Sequence, residues 1–188
     1  MADNASKVII GIDPGYAITG YGIIEKSGNK LKVLDFGVIE TKPKTDFEIR
    51  LLTINENIRS LLEIYKPDYM AVEELFLSKN TTTAIGTAQA RGVVIVEAAR
   101  TNIPVYEYTP GQIKLAVTGY GKADKNQVQT MVQHLLGLKE IPRPDDAADG
   151  LAVAICLANT GIMASGKAVA GYQYGRYGYS NTKLFGGK

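Results

Sequence analysis

The fold of this chain is decided by residues 8–24, which read VIIGIDPGYAITGYGII. The stretch opens with an apolar run that breaks at Asp13, Pro14 and Gly15, and a second strand-like run begins at Ile18. An apolar run of this length that ends at turn residues is typical of a buried strand. A carboxylate at the end of a buried strand is costly unless another group compensates its charge. We therefore interpret Asp13 as the first member of a site.

The composition is that of an ordinary globular domain. The 188 residues are 45% hydrophobic and 21% charged, which is enough to build a full core. The net charge of +2 does not by itself indicate a nucleic-acid ligand, so a basic binding surface would have to be grouped against acids placed elsewhere. The single cysteine, Cys156, rules out an internal disulfide framework and fits a reducing, cytoplasmic compartment. We predict neither a membrane span nor a secretory signal, because no long apolar stretch is present and the first residues are polar.

The predicted elements follow the order β-β-β-α-β-α-β-α-α-α. Three strands within residues 8–40 predict an antiparallel meander. Strands at 68–73 and 103–108 then alternate with helices, the first of which is predicted to open with a capping box from Thr45 to Glu48. A meander followed by βαβ units predicts an α/β protein with one mixed sheet and helices on both faces.

The end of the chain differs in composition from the rest. After residue 162 the sequence is rich in Gly and Tyr and contains few aliphatic side chains. Such a segment buries too little apolar surface to fold on its own. We therefore predict a folded domain over residues 1–162 and a disordered tail over 163–188.

Acidic residues stand at the ends of two predicted strands and at the start of the last helix. They are Asp13 after the first strand, Glu73 and Glu74 after the fourth, and Asp145, Asp146 and Asp149 in the helix. Spacing does not choose between the two glutamates. Nor does it choose between Asp145 and Asp146, because each shares a helix face with Asp149, at i,i+4 or i,i+3.

If these strand ends and this helix start meet at one edge of the sheet, they bring four carboxylates together. Four carboxylates at close range cannot all stay ionised without a cation, and hard oxygen ligands favour Mg²⁺ or Mn²⁺. Zinc is effectively excluded, since His134 is the one histidine and Cys156 the one cysteine. A multi-carboxylate Mg²⁺ site indicates phosphoryl chemistry with two metal ions. The basic residues near this edge are Lys79, Arg91, Lys114, Lys122 and Lys125. Single lysines are usually solvated surface residues, but a group of them beside the acids would bind phosphate groups.

Four motifs occur in a fixed order along residues 8–159: GIDPGYAITGYGII; AVEELF followed by KN and AQARG; YTPGQIK followed by VTGYGKADKNQVQ; and DDAADGLAVAI. In order and spacing they resemble the RuvC-type Holliday-junction resolvases of bacteria. The resemblance implies an RNase H-like fold, a five-stranded mixed sheet flanked by helices, that acts as a homodimer. It further implies Mg²⁺-dependent, symmetric hydrolysis of phosphodiester bonds in four-way DNA junctions, coupled to the RuvA–RuvB branch-migration complex.

The resemblance also assigns the acids. It makes four residues the catalytic and metal-binding carboxylates: Asp13, Glu73, Asp146 and Asp149. These acids would hold two Mg²⁺ ions per active site, for which Mn²⁺ can substitute. The assignment selects Glu73 over Glu74 and Asp146 over Asp145, which spacing leaves open. Asp145 then departs from the family pattern as an added acid beside the motif.

Other residues are assigned to DNA contact or to the dimer. The resemblance implies that Phe76 stacks on a base near the junction centre and that Lys114 and Lys125 contact DNA, and we expect Lys79 to contact DNA as well. The helix predicted over residues 83–100 carries a stripe of small side chains: Ala84, Ala88 and Gly92. The stripe alone would admit close approach of either the sheet or a partner chain, and the resemblance favours the partner chain.

Two alternative interpretations share this fold. An actin- or Hsp70-type ATPase or a sugar kinase has a similar sheet and an Asp-x-Gly phosphate loop near its N-terminus. Those proteins need two such lobes to enclose ATP, and 188 residues supply one. A non-catalytic junction-binding or RNA-binding protein would keep the basic surface and lose the acids, whereas all four acids are present here.

Overall fold

One five-stranded sheet organises the computed structural model of the chain, which describes residues 6–75 and 81–160. Its strands are β1 (Lys7–Asp13), β2 (Ile18–Ser27), β3 (Lys30–Glu40), β4 (Tyr69–Glu73) and β5 (Val105–Tyr108). Their order across the sheet is β3-β2-β1-β4-β5. The pairs β1–β2 and β2–β3 are antiparallel, whereas β4 is parallel to both β1 and β5. The predicted mixed sheet, a meander followed by parallel strands, is confirmed.

Helices cover both faces of this sheet. In the described part of the chain they are α1 (Phe47–Tyr65), α2 (Thr81–Arg100), α3 (Pro110–Thr118), α4 (Lys125–Leu136) and α5 (Asp145–Thr160). Because side chains alternate along a strand, each strand contributes to two buried cores. Ile9 and Ala71 pack in the core that contains α3, α4 and α5, whereas Ile10 and Val72 pack in the core of α1 and α2. The predicted helices on both faces are therefore confirmed.

The starts of α3 and α4 follow the predicted local rules. Thr109 and Gln112 form a capping box at α3, in which each accepts a hydrogen bond from the other's backbone N–H. Asp124 caps α4 in the same way. The capping box predicted from Thr45 is wrong, because α1 has Asp46 at its N-cap and that side chain makes no capping hydrogen bond. The two helices that carry the predicted DNA-binding lysines thus begin at fixed positions.

Helix α5 lies directly on the sheet because glycines remove the side chains that would separate them. Gly11 of β1 and Gly22 of β2 are paired in register. A Cβ on Gly11 would lie 2.3 Å from the backbone nitrogen of Ala154, and one on Gly22 would lie 2.5 Å from the Cα of Leu151. Glycine inside a strand often marks such a close approach of another backbone. Residues 150–158 are all buried, so α5 is a central helix whose first turns sit over the ends of β1 and β2.

The small-residue stripe of α2 does not face the sheet. Helix α2 buries Ala90 and Val94 in the core that it shares with α1. Ala88 is exposed, Ala84 is half-buried, and a Cβ on Gly92 would have no neighbouring atom within 4 Å outside its own helix backbone in the described ranges. Of the two interpretations of the stripe, packing against the sheet is therefore excluded.

The proposed boundary between the domain and its tail cannot be located in the structure. The description ends at residue 160, so the division into residues 1–162 and 163–188 lies outside the described residues and stays a prediction. None of the described helices has the length and apolar character that crossing a membrane requires.

Candidate active site

Three carboxylates meet where β1 ends against the start of α5. Asp13, Asp146 and Asp149 each offer an oxygen within 4.8 Å of the oxygens of the other two. Asp13 is the last residue of β1 and, by strand alternation, shares the α5 side of the sheet with Gly11. Asp146 and Asp149 lie about one turn apart at the start of α5. All three are half-buried, so the cluster is still accessible to solvent.

Burial and the charges of neighbouring carboxylates raise the pKa values of Asp13 and Asp149. Burial is the main reason that the pKa of Asp13 rises to about 6, and the charges of Asp149 and Asp146 add to it against the effect of Lys125. Burial also raises the pKa of Asp149, although Lys125 opposes it. Neighbouring carboxyl groups with raised pKa values indicate a site that lacks the positive charge needed to balance the ionised acids. The oxygen-only donor set therefore fits a hard divalent cation such as Mg²⁺ or Mn²⁺.

Glu73, the fourth predicted acid, stands one strand away from this cluster. It ends β4, the parallel neighbour of β1, and it shares its face with Ala71, which packs in the α5 core. Burial, followed by the charges of Asp13 and Asp149, raises the pKa of Glu73 to about 7, and Lys114 acts in the opposite direction. Glu73 thus belongs to the site electrostatically, although it lies outside the three-carboxylate cluster.

Two lysines approach the acids from α3 and α4. The Nζ of Lys125 lies 3.4 Å from Oδ2 of Asp145 and 3.4 Å from Oδ2 of Asp149. Lys114 is close enough for its charge to lower the pKa of Glu73. The Lys125 side chain is 53% exposed, so a polyanion at the mouth of the site can reach it. The structure therefore brings both predicted basic residues beside the acids.

The turn that carries Asp13 is braced by residues that sequence reasoning missed. Arg50 of α1 lies over the ring of Tyr16, 3.7 Å from its centroid, and donates a hydrogen bond to the Tyr16 carbonyl. The hydroxyl of Thr19 donates to the carbonyl of Gly15 at 2.7 Å. Thr19 had a signal in the sequence, because threonine hydroxyls often bind backbone groups in nearby turns. Arg50 had none, since it is remote from the turn along the chain.

Of the remaining predicted residues, two lie outside the described part of the chain and three lie on α2. Phe76 and Lys79 lie outside the described residues, so their predicted DNA contacts stay predictions. The stripe of Ala84, Ala88 and Gly92 belongs to α2, on the face of the sheet opposite to α5. Its predicted role at a dimer interface is consequently separate from the acid site.

A mixed sheet with helices on both faces, and acids that converge where its first strand meets a buried helix, defines the class of RNase H-like nucleases. Residues 9–157 match the family model described as crossover junction endodeoxyribonuclease RuvC. The chain therefore belongs to the RuvC family, which confirms the predicted family and enzyme class.

Individual relatives agree with this assignment. A crossover junction endodeoxyribonuclease RuvC from Caldicellulosiruptor saccharolyticus is 54% identical over 149 residues, which cover 79% of this chain and 90% of the relative. One from Desulfitobacterium hafniense is 55% identical over 153 residues, covering 81% and 93%. The structure of T. thermophilus RuvC in complex with Holliday junction substrate matches with a TM-score of 0.78 and 37% identity, covering 82% of this chain and 94% of that one. This structural match confirms the predicted fold.

Proposed function

We propose that this chain resolves four-way DNA junctions by metal-dependent hydrolysis of phosphodiester bonds. The observation that carries the proposal is the cluster of Asp13, Asp146 and Asp149, whose oxygens lie within 4.8 Å of one another. Membership of the RuvC family supports the reaction. The Holliday junction substrate bound to the T. thermophilus relative supports the choice of DNA substrate.

The proposed metal ligands are Asp13, Asp146 and Asp149, with Glu73 as the fourth acid. Two Mg²⁺ ions held by these acids, or Mn²⁺ in their place, would supply the positive charge needed to activate a water and to stabilise the leaving oxygen. The acids come from β1, β4 and α5, three elements of one rigid core, so they are held in place before substrate arrives. The raised pKa values of Asp13 and Glu73 support the proposal that these acids bind a cation.

Substrate binding is proposed to use the lysines at the mouth of the site. Lys114 and Lys125 are the cationic groups beside the acids, and they would hold phosphates on either side of the bond that is cut. Such contacts make junction affinity fall with added salt. Phe76 is proposed to stack on an unpaired base near the junction centre, with Lys79 on the adjoining backbone.

We also propose that the chain acts as a homodimer through α2. Exposed apolar side chains border a groove between α1 and α2, and the groove is lined by Leu51, Leu52, Asn55, Gln89, Gly92, Val93 and Val96. This groove continues the stripe that contains Ala88 and Gly92. A two-fold dimer would present one active site to each of two opposite strands of a two-fold symmetric junction.

Cooperation with the RuvA–RuvB complex in the cytoplasm completes the proposal and follows from the family alone.

The proposed function is tested with a four-way junction and a linear duplex of equal length, each incubated with Mg²⁺ or with chelator. We expect paired, symmetric nicks in the junction that require Mg²⁺. Asp13→Asn should bind the junction with nearly unchanged affinity and produce no detectable cleavage. Asp46→Asn is the matched control, because this exposed aspartate makes no capping hydrogen bond. Equal cutting of the linear duplex, or full activity of Asp13→Asn, would contradict the proposal, and ATP turnover without DNA would favour the ATPase alternative.

A further inference from the structure

Lys125 is shared between the acid cluster and a carboxylate outside it. Its Nζ lies 3.4 Å from Asp149, which belongs to the three-acid cluster, and 3.4 Å from Asp145, which does not. Asp145 is also paired with the guanidinium of Arg143. Asp145 therefore contacts two cationic side chains, Lys125 and Arg143, and it lies outside the three-acid cluster. A metal bound to Asp149 would therefore displace Lys125 from that carboxylate and leave its contact with Asp145 in place.

A buried amide stands behind Asp145. Gln129 follows Lys125 by one helical turn on α4 and is 2% exposed. The side-chain amide of Gln129 approaches the carboxylate of Asp145. In the described part of the chain, the Nε2 of Gln129 has no hydrogen-bond partner within strict geometric limits. We assign the carboxylate of Asp145 as the acceptor for this amide.

A cation on Asp149 changes the surroundings of Lys125. The metal and the ammonium compete for the same carboxylate and repel each other. Lysine has a long, flexible stem, so without a second partner it would turn into solvent. An ammonium group has three donors, so Lys125 can keep its contact with Asp145 and still donate to a phosphate.

We propose that Asp145, backed by Gln129, is a positioning residue that holds Lys125 at the rim of the metal-loaded site, ready for a DNA phosphate. The inference rests on the proposed function, since the phosphate belongs to the junction. It gives a role to an acid to which the resemblance assigns none. Asp145 acts through Lys125, so every effect of removing Asp145 should depend on the presence of Lys125.

The test is a double-mutant cycle of Asp145→Asn and Lys125→Met in the full chain, with cleavage measured at saturating Mg²⁺. We expect Asp145→Asn to raise the junction concentration that gives half-maximal rate by about threefold to tenfold, with the maximal rate nearly unchanged. In the Lys125→Met background the same substitution should have no further effect. Gln129→Met should behave like a weaker Asp145→Asn. The matched control is Glu140→Gln, which removes one charge at an exposed position of the loop before α5.

A second readout needs neither DNA nor catalysis. In calorimetric titrations with Mn²⁺, Asp145→Asn should weaken metal binding several-fold when Lys125 is present, because Lys125 then has Asp149 as its carboxylate partner in the metal-free protein and loses that partner when the metal binds. It should change little in the Lys125→Met background. A loss of Mn²⁺ affinity of equal size with and without Lys125 would show that Asp145 acts on the metal independently of Lys125, and it would overturn the proposal.

The cycle also separates this inference from the proposed function. An equal rise in half-maximal junction concentration with and without Lys125 would overturn the positioning role while cleavage itself stands. A chain that cuts no junction, yet shows Lys125-dependent effects of Asp145→Asn on Mn²⁺ binding, would refute the proposed function and support the tether between Asp145 and Lys125.

Discussion

Gly20 of β2 and Asp146 of α5 are in backbone contact, such that a Cβ on Gly20 would lie 1.9 Å from the carbonyl oxygen of Asp146. Gly20 is also the direct partner of Asp13 in the pairing of β1 with β2. The missing side chain therefore lets the first turn of α5 settle next to the end of β1. Asp13 and Asp146 are far apart in the sequence, and they become neighbours because Gly20 has no side chain to keep α5 away from the end of β1.

Replacing Gly20 by alanine should damage the site more than the fold. The obstructing atom belongs to the backbone, so the first turn of α5 must move. We expect a loss of about 1–3 kcal/mol in the free energy of unfolding, as for other overpacked positions, measured by urea denaturation. Single-turnover cleavage should fall by far more than junction affinity, because Asp146 moves away from Asp13.

The matched control for this prediction is Gly111→Ala in α3. The nearest atom to a Cβ at Gly111 is 4.0 Å away, so the added methyl group meets no obstacle. This variant should cleave junctions normally. If Gly20→Ala also cleaves at the normal rate, the close contact between α5 and β2 is not what places Asp146.

The sequence predicted the order of the elements because the signals for them are local. Alternation, apolar periodicity and helix caps each lie within a few residues, and Thr109 and Asp124 act where they were expected. The ends of the apolar runs also located Asp13. Local signals could not decide between Glu73 and Glu74. The choice depends on which side of β4 faces α5, and this is determined by the tertiary structure.

Packing between distant elements had a signal that could not be interpreted from the sequence alone. Glycines at even spacing in a strand, such as Gly20 and Gly22, indicate that another backbone comes close on that face. They do not say which element arrives. The contact of Lys125 with Asp145 likewise joins two helices whose relative position is set by the core between them.

The raised pKa values of Asp13 and Glu73 predict that the metal-free protein loses stability as pH rises. The pKa of Asp13 rises from 3.8 to about 6 and that of Glu73 from 4.5 to about 7. Each carboxyl holds its proton more tightly in the folded protein, so its contribution is fully present below about pH 4 and is lost as pH rises through about 6 to 7.

Thermal unfolding in chelator should therefore show a Tm that falls between about pH 4 and pH 8, and Mg²⁺ should restore it at the upper end. The reference is the variant with both Asp13→Asn and Glu73→Gln, in which these two groups no longer titrate. The decrease in Tm of the unmodified chain should be steeper than that of the reference. If Tm depends on pH in the same way in both proteins, the pKa values of Asp13 and Glu73 are not raised in the metal-free protein.

If the homodimer forms through the groove between α1 and α2, a charged substitution in this groove should dissociate it. Leu52 and Val96 border this groove and are 47% and 57% exposed in the single chain. In the proposed dimer both would be buried against the partner, so Val96→Glu would bury an unpaired charge. We expect the dimer dissociation constant, measured by sedimentation, to rise by about 100-fold or more, which corresponds to the usual penalty for such a charge.

The control for the dimer is Ile64→Glu, which places the same charge on α1 at a residue that is 69% exposed and does not line the groove. It should remain dimeric and active. Monomeric Val96→Glu should keep its fold, since the side chain is exposed in the single chain, but it should nick junction strands singly because the two cuts are no longer made within one complex. A dimer that survives Val96→Glu with unchanged affinity must use another surface, and the assignment of Ala88 and Gly92 to the interface would then be wrong.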